Sequence, residues 1–272
     1  PQTEVRFYAE VAARVPVPRP RVLAATRRFG RGYTLVLGDL AEAGFRPGRA
    51  EDALSPAQAG AVVDLLADLH ARFWEDPSLS TDLAWLGGPV RRLEDGLGTA
   101  LARPLMRRGL ARAGEAVPPA LHAPALRYAA RRRAAMRRLH AGPRTLTHHD
   151  CHPGNLYWSP DGPGLLDWQL VRVGEGVGDV AYLLACGLDP VERRAHEREL
   201  LGRYAKRLAR GGVRADPDAL YERYRAHTVY AFEAMVVTLA VGDMMDEGAA
   251  RALVRRAAQA AADLDAFAAA SG

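Results

Sequence analysis

Residues 144–170 interrupt a chain otherwise patterned for helices, and this interruption narrows the folds open to it more than any other feature. It runs Thr145-Leu146-Thr147, then His148-His149-Asp150-Cys151-His152-Pro153-Gly154-Asn155-Leu156-Tyr157-Trp158. A turn signal follows, Ser159-Pro160-Asp161-Gly162-Pro163-Gly164, and Leu165-Leu166-Asp167-Trp168-Gln169 closes the segment. Short apolar runs flanking a Pro/Gly cluster read as strand, turn and strand. Asn155 opens the first strand and Asp167 closes the second, so a hairpin of that length sets them side by side.

Around this island the pattern is helical. A helix is predicted over 3–15, with Thr3 as N-cap candidate and Val5, Tyr8 and Ala12 on one side. Val15 to Pro20 must be extended, because residues before proline avoid the helical region. Val22–Thr26 and Tyr33–Leu37 read as a hairpin about Phe29-Gly30-Arg31-Gly32, and Gly44 to Ala53 as a linker. Ser55-Pro56-Ala57-Gln58 is a capping box with proline at the first helical position, and Val62, Leu65, Leu66, Leu69 and Phe73 hold one helical face. Further helices are predicted at 98–113, 124–140, 179–187, 190–210, 217–242 and 247–269. The division is an α+β chain with a small helix-plus-hairpin unit over 1–43 and a large helical domain over 44–272 that carries the island.

His148, Asp150 and Asn155 fall at the spacing His-x-Asp-x-x-x-x-Asn of a kinase catalytic loop. Phosphoryl transfer needs positioning and charge neutralisation more than covalent chemistry. Two oxygen ligands must converge on a metal ion that bridges nucleotide phosphates, and Asp167 with the Asn155 carbonyl supplies them. A separate carboxylate, Asp150, must orient the acceptor hydroxyl and take its proton. His148 would hold the loop backbone. Asn155 is the only asparagine in a chain with one lysine, Lys206, and no isoleucine. That bias is what a GC-rich genome produces, so a lone asparagine at a ligand position is informative. An aspartate there would add negative charge beside the γ-phosphate.

On these residues the island resembles the aminoglycoside phosphotransferase and choline kinase family, whose fold is the bilobal protein-kinase-like one. Leu166-Asp167-Trp168-Gln169 with Gly178-Asp179-Val180-Ala181-Tyr182-Leu183-Leu184 resembles most the ecdysteroid-kinase-like branch and its bacterial relatives. The resemblance implies Mg²⁺ and ATP (or GTP), a small-molecule alcohol as acceptor, and catalytic roles for Asp150 and His148. It also implies that Glu4 lies on the helix whose glutamate pairs with the nucleotide-binding lysine. Tyr33 to Leu40 resembles the last strand before the hinge, and Leu69 to Trp74 the first large-lobe helix. In such proteins the acceptor lies over the large lobe between late helices, which makes Tyr230, Glu233 and Asp243 candidates, together with His149, His152 and Trp168 beside the loop. Three departures stand out: His149 where glycine is usual, Gly38 where an acidic residue is common, and no glycine-rich strand pair or lysine before Glu4. The small lobe therefore reads as truncated, and the native chain is expected to carry roughly 40–80 further N-terminal residues with a glycine-rich turn and a cation on a strand.

Other classes are weighed on the same residues. Two cysteines, Cys151 and Cys186, make no disulfide framework and point to the cytoplasm. No apolar run approaches the roughly 18 residues of a membrane span. The net charge of +5 permits nucleic acid without demanding it. Arg131-Arg132-Arg133 and Arg137-Arg138 spread around a helix as a solvated face would, so no nucleic-acid partner is assigned and a nucleic-acid-binding protein stays only as the lesser alternative. His148 to His152 alternate in direction and have no second His/Cys pair, which disfavours structural zinc. Asp179 doubles as helix cap and loop brace. A catalytically silent binding protein on the same scaffold is the main alternative, and all three of Asp150, Asn155 and Asp167 would have to persist in it by chance.

Overall fold

The computed structural model describes residues 2–28 and 32–271. Helix α1 (Gln2–Glu10) gives way to a 3₁₀ turn at Ala12–Arg14, so the predicted helix ends early and Thr3 lies inside it rather than capping it. The proline-spaced segment that follows is extended, and Pro18 O accepts from Leu165 N at 3.1 Å, which ties it to the island. Strands β1 (Val22–Arg28) and β2 (Gly32–Leu37) pair antiparallel, from Val22↔Leu37 to Arg28↔Gly32. Residues 29–31 of the predicted turn lie outside the described residues.

The stretch predicted as a linker contains β3 (Arg46–Pro47), which pairs with the strand at Leu156–Ser159. Gly48 makes this approach feasible. Its N–H donates to Leu156 O at 2.8 Å, and a Cβ there would collide with Pro153 O. Helix α2 (Pro56–Arg72) starts on the predicted capping box, with Ser55 Oγ accepting from Gln58 N and Gln58 Oε1 accepting from Ser55 N. Helix α3 (Pro89–Ala113) begins well before residue 98, because Gly88-Pro89 starts it while Val90, Leu93 and Leu97 remain exposed and hide the amphipathic signal. The predicted 124–140 helix is α4 (His122–Ala130) and α5 (Arg132–Leu139), broken where Arg131 leaves helical dihedrals at φ −112°, ψ 15°.

The island holds three short strands, β4 (Thr145–Thr147), β5 (Leu156–Ser159) and β6 (Gly162–Leu165), and β7 (Arg172–Gly174) follows just after it. β6 completes a three-stranded sheet ordered β3-β5-β6, and β4 pairs with β7. Helices α6 (Val177–Gly187), α7 (Pro190–Arg210), α8 (Pro217–Val241), α9 (Glu247–Asp263) and α10 (Ala266–Ser271) follow. The last two replace one predicted helix, interrupted where Asp265 takes φ 46°. Two apolar cores result. One gathers α1, α2, α7 and the island, the other α3–α5 and α8–α10. Helix α6 lies between them: Val180 and Leu183 face the first, Tyr182 and Cys186 the second. Both cysteines are buried free thiols. Among the described residues no helix is long and apolar enough to cross a membrane.

Candidate active site

The loop after β4 is pinned from below by one carboxylate. Asp179, in the first turn of α6, accepts from His148 N at 2.7 Å and His149 N at 2.8 Å. Its Oδ2 also lies 3.2 Å from His70 Nε2, and His70 Nδ1 is 2.8 Å from Tyr204 OH. Asp179 therefore braces the loop but does not cap its helix; Gly176 holds that position. Asp179→Ala leaves two buried N–H groups unpaired at about 1–3 kcal/mol each, so a loss of about 3 kcal/mol is expected in urea denaturation.

His148 is fully buried and links loop to hairpin. Asp150 N donates to His148 Nδ1 at 3.3 Å, so the proton sits on Nε2, which donates to Leu166 O at 2.7 Å. Both carboxylate oxygens of Asp150 are engaged. Tyr182 OH donates to Oδ1 at 2.6 Å, and Asn155 Nδ2 donates to Oδ2 at 3.1 Å and to Asp150 O at 2.9 Å. Asn155 thus turns its amide nitrogen to Asp150, and its side-chain carbonyl oxygen has no hydrogen-bond partner among the described residues. Leu166 N donates to Asn155 O at 2.8 Å, which sets Asp167 one residue beyond Asn155 across the hairpin.

Asp167 adopts φ 55°, a conformation aspartate tolerates better than most residues. Its oxygens accept from Gln169 N at 3.3 Å and Gln169 Nε2 at 3.2 Å. Burial pushes its carboxyl above the ordinary range, against that backbone hydrogen bond, and nearby Asp150 adds to the rise. Glu4 is raised likewise, first by burial and then by Asp167; its Oε1 accepts from Trp168 N at 3.2 Å. Three carboxylates crowd here, and the only lysine, Lys206, is exposed on α7.

The remaining candidates divide. His149 takes φ 72°, lies 4.2 Å from the Tyr230 ring, and has a sealed Nε2 with no partner among the described residues. Burial holds its imidazole well below its usual pKa, with Arg172 the next cause. His152 turns inward: its Nδ1 accepts from Gly154 N at 3.1 Å and caps the Pro153–Asn155 turn. Trp168 does not line an acceptor pocket. It is fully buried, stacked on Phe7 at 4.1 Å and edge-on to His148, because α1 covers it. Glu233 is likewise committed, accepting from Tyr128 OH at 2.7 Å and Arg132 Nε at 2.5 Å. Asp243 is exposed at the end of α8.

Two features escaped the sequence. Tyr182, which binds Asp150, sits in an apolar helix and reads there as core. Its only signal is its place three residues after Asp179. Arg172 is brought beside the loop by β7, where it pairs with Thr147. Tyr182, His149, Tyr230 and His227 enclose a gap of about 20 Å³, room for a single water.

A family model described as the phosphotransferase enzyme family matches residues 2–227. No curated protein matches the sequence. Solved structures do. A choline kinase from Cryptosporidium parvum Iowa II is 11% identical, with 98% of this chain and 79% of that one covered at a TM-score of 0.55. A candidate aminoglycoside phosphotransferase from Ralstonia eutropha JMP134 is 16% identical, with 99% and 82% covered at 0.50. The macrolide 2′-phosphotransferase MphH from Brachybacterium faecium is 19% identical, with 96% and 78% covered at 0.46. The first two likenesses carry the fold, which is the α+β, protein-kinase-like one with a large helical part built around the catalytic hairpin.

Proposed function

The chain belongs to the phosphotransferase enzyme family, and on that premise we propose that it moves the γ-phosphate of ATP or GTP to the hydroxyl of a small-molecule alcohol, with Mg²⁺. The observation that carries this reading is the gathering of Asp150, Asn155 and Asp167 on one hairpin-closed loop, with Asp150 hydrogen-bonded to Asn155. In this reading residues 1–43 are the small-lobe portion and 44–272 the large lobe.

Asp150 is the base. Tyr182 and Asn155 hold its carboxylate in one orientation, so it can receive the acceptor's hydroxyl proton as that oxygen bonds to the γ-phosphorus. The bond from the γ-phosphorus to the bridging oxygen breaks, and the nucleoside diphosphate leaves. His148 keeps the loop on the hairpin and is a positioning residue. Glu4 acts on the nucleotide side through Trp168 N, holding the turn that presents Asp167.

The donor set fits magnesium. A carboxylate and an open amide carbonyl are the few hard oxygen ligands Mg²⁺ takes from protein, and half-buried carboxylates, with Asp150 repelling Asp167 and Asp167 repelling Glu4, favour a cation among them. When bound, the ion neutralises charge on the nucleotide phosphates.

Measuring nucleoside diphosphate release across a library of alcohols tests the reading. Release that needs both Mg²⁺ and an acceptor is expected. Mg-ATP binding with no acceptor-dependent release would leave a catalytically silent binding protein instead. His149 bears on acceptor choice: its ring closes the gap against Tyr230 from a strained backbone that glycine adopts freely. His149→Gly should broaden the range of alcohols phosphorylated while acceptor-independent ATP hydrolysis persists. An unchanged acceptor profile would remove the side chain from the acceptor site.

A further inference from the structure

Beyond the His149–Tyr230 pair lies a cavity of about 490 Å³ between α3, α5 and β7. Arg92, Arg132, Arg133, Arg137 and Arg172 line it, against one carboxylate, Asp95. The Arg172 side chain is only 11% exposed. Its Nη1 donates to Asp95 Oδ1 at 3.3 Å, and its Nε is buried with no partner among the described residues. Arg132 is held by Glu233 and by Thr99 Oγ1 at 3.1 Å. The lining carboxylate Asp95 is thus taken by Arg172, and Glu233, outside the lining, by Arg132. Arg92, Arg133 and Arg137 have no carboxylate partner among the described residues.

A solvated arginine face would be convex and would leave its guanidinium groups in water. These five converge on a hollow, and one of them is nearly buried. The hollow also adjoins the reacting end. Met136 and His140 line both it and the gap under Tyr182, His149 and Tyr230, and Tyr182 OH is bonded to Asp150. Through β4 and β7, Arg172 pairs with Thr147, three residues before Asp150. After burial, Arg172 is the largest cause lowering the His149 imidazole, so its positive charge is felt at the loop.

Resting on the kinase reading above, we propose that the acceptor is an anionic alcohol, whose hydroxyl meets Asp150 and whose carboxylate or phosphate is held by Arg172 with Arg132, Arg133 and Arg137. Guanidinium forks pair with both anion types through two parallel N–H donors. The volume falls within the usual range for small-molecule sites. A cationic amino alcohol would meet uncompensated like charge there.

The test is calorimetric titration of the full chain, without nucleotide, using matched probes: D-glycerate with glycerol, and glucose 6-phosphate with glucose. At least one acid should bind about tenfold or more tightly than its neutral twin, the worth of one charge-assisted contact. The advantage should shrink as salt is raised. The pair that shows it tells carboxylate from phosphate. Arg133→Gln with Arg137→Gln, both at exposed positions, should reduce the advantage, as should Arg92→Gln from the opposite wall. Equal binding of the twins, binding of neither acid, or a preference unmoved by both variants overturns the assignment. Turnover is read separately: if an acid binds in this manner but no alcohol of the library, acidic or neutral, accepts phosphate from Mg-ATP, the kinase reading fails and the cavity assignment stands.

Discussion

Asp150→Asn should lower turnover about 10²–10⁴-fold, the range for losing a positioned acid–base group, while Mg-ATP affinity stays within a few-fold. Both oxygens of Asp150 are acceptors in the structure, from Tyr182 OH and Asn155 Nδ2. An asparagine offers one oxygen and one NH₂. The oxygen can stay on Asn155, which has only donors on that side. The NH₂ then meets the Tyr182 hydroxyl, which can rotate and accept. The substitution therefore removes the proton acceptor without leaving a buried group unpaired, and thermal stability should change little. Turnover within a factor of two of the parent, in a protein that melts normally, would take Asp150 out of the chemistry.

Local signals were readable where a residue type acts on its own neighbours. The Ser55–Gln58 box starts α2, and Asp189-Pro190 with Gly211 bounds α7 as expected. The proximity of Asn155 and Asp167 also follows from strand and turn lengths alone. What the sequence concealed is set by contacts distant along the chain. Strand β3 exists because Gly48 lets the backbone press against Pro153, and nothing near residue 48 announces it. Trp168 is core because Phe7, far away in sequence, stacks on it. Glu233 is spent on Tyr128 and Arg132, so a carboxylate that looked free for substrate is not. The arginines of α5 read as a solvated face because helical spacing scatters them; Arg132 points inward, and β7 adds Arg172 opposite. In each case the local pattern is satisfied and the tertiary partner decides the role.

Asp167 should separate stability from nucleotide binding. Its folded-state pKa lies above the ordinary carboxylate value, first through burial and then through Asp150. A carboxyl raised on folding disfavours the folded state when ionised, so this group withdraws stability as pH rises through the interval between its unfolded and folded pKa. Asp167→Asn removes that charge, and asparagine keeps both the left-handed φ of 55° and an acceptor for Gln169 N. The metal-free variant should therefore be at least as stable as the parent near neutral pH, and should lose the part of the parent's acid-range pH dependence that Asp167 supplies. Asp167→Ala goes further and strips the oxygen ligands altogether. With Mg-ATP at a hundred times its dissociation constant, the parent should gain about 2.7 kcal/mol, a rise in Tm of about 5–10 °C. Asp167→Ala should show no such rise, and Asn155→Ala a smaller one than the parent, since Asn155 contributes a neutral ligand beside the anionic one. The two variants differ in what they retain, so a melt with and without Mg-ATP reads the metal role apart from any folding defect. An Asp167→Ala protein that gains the full shift from Mg-ATP would mean the metal is held elsewhere.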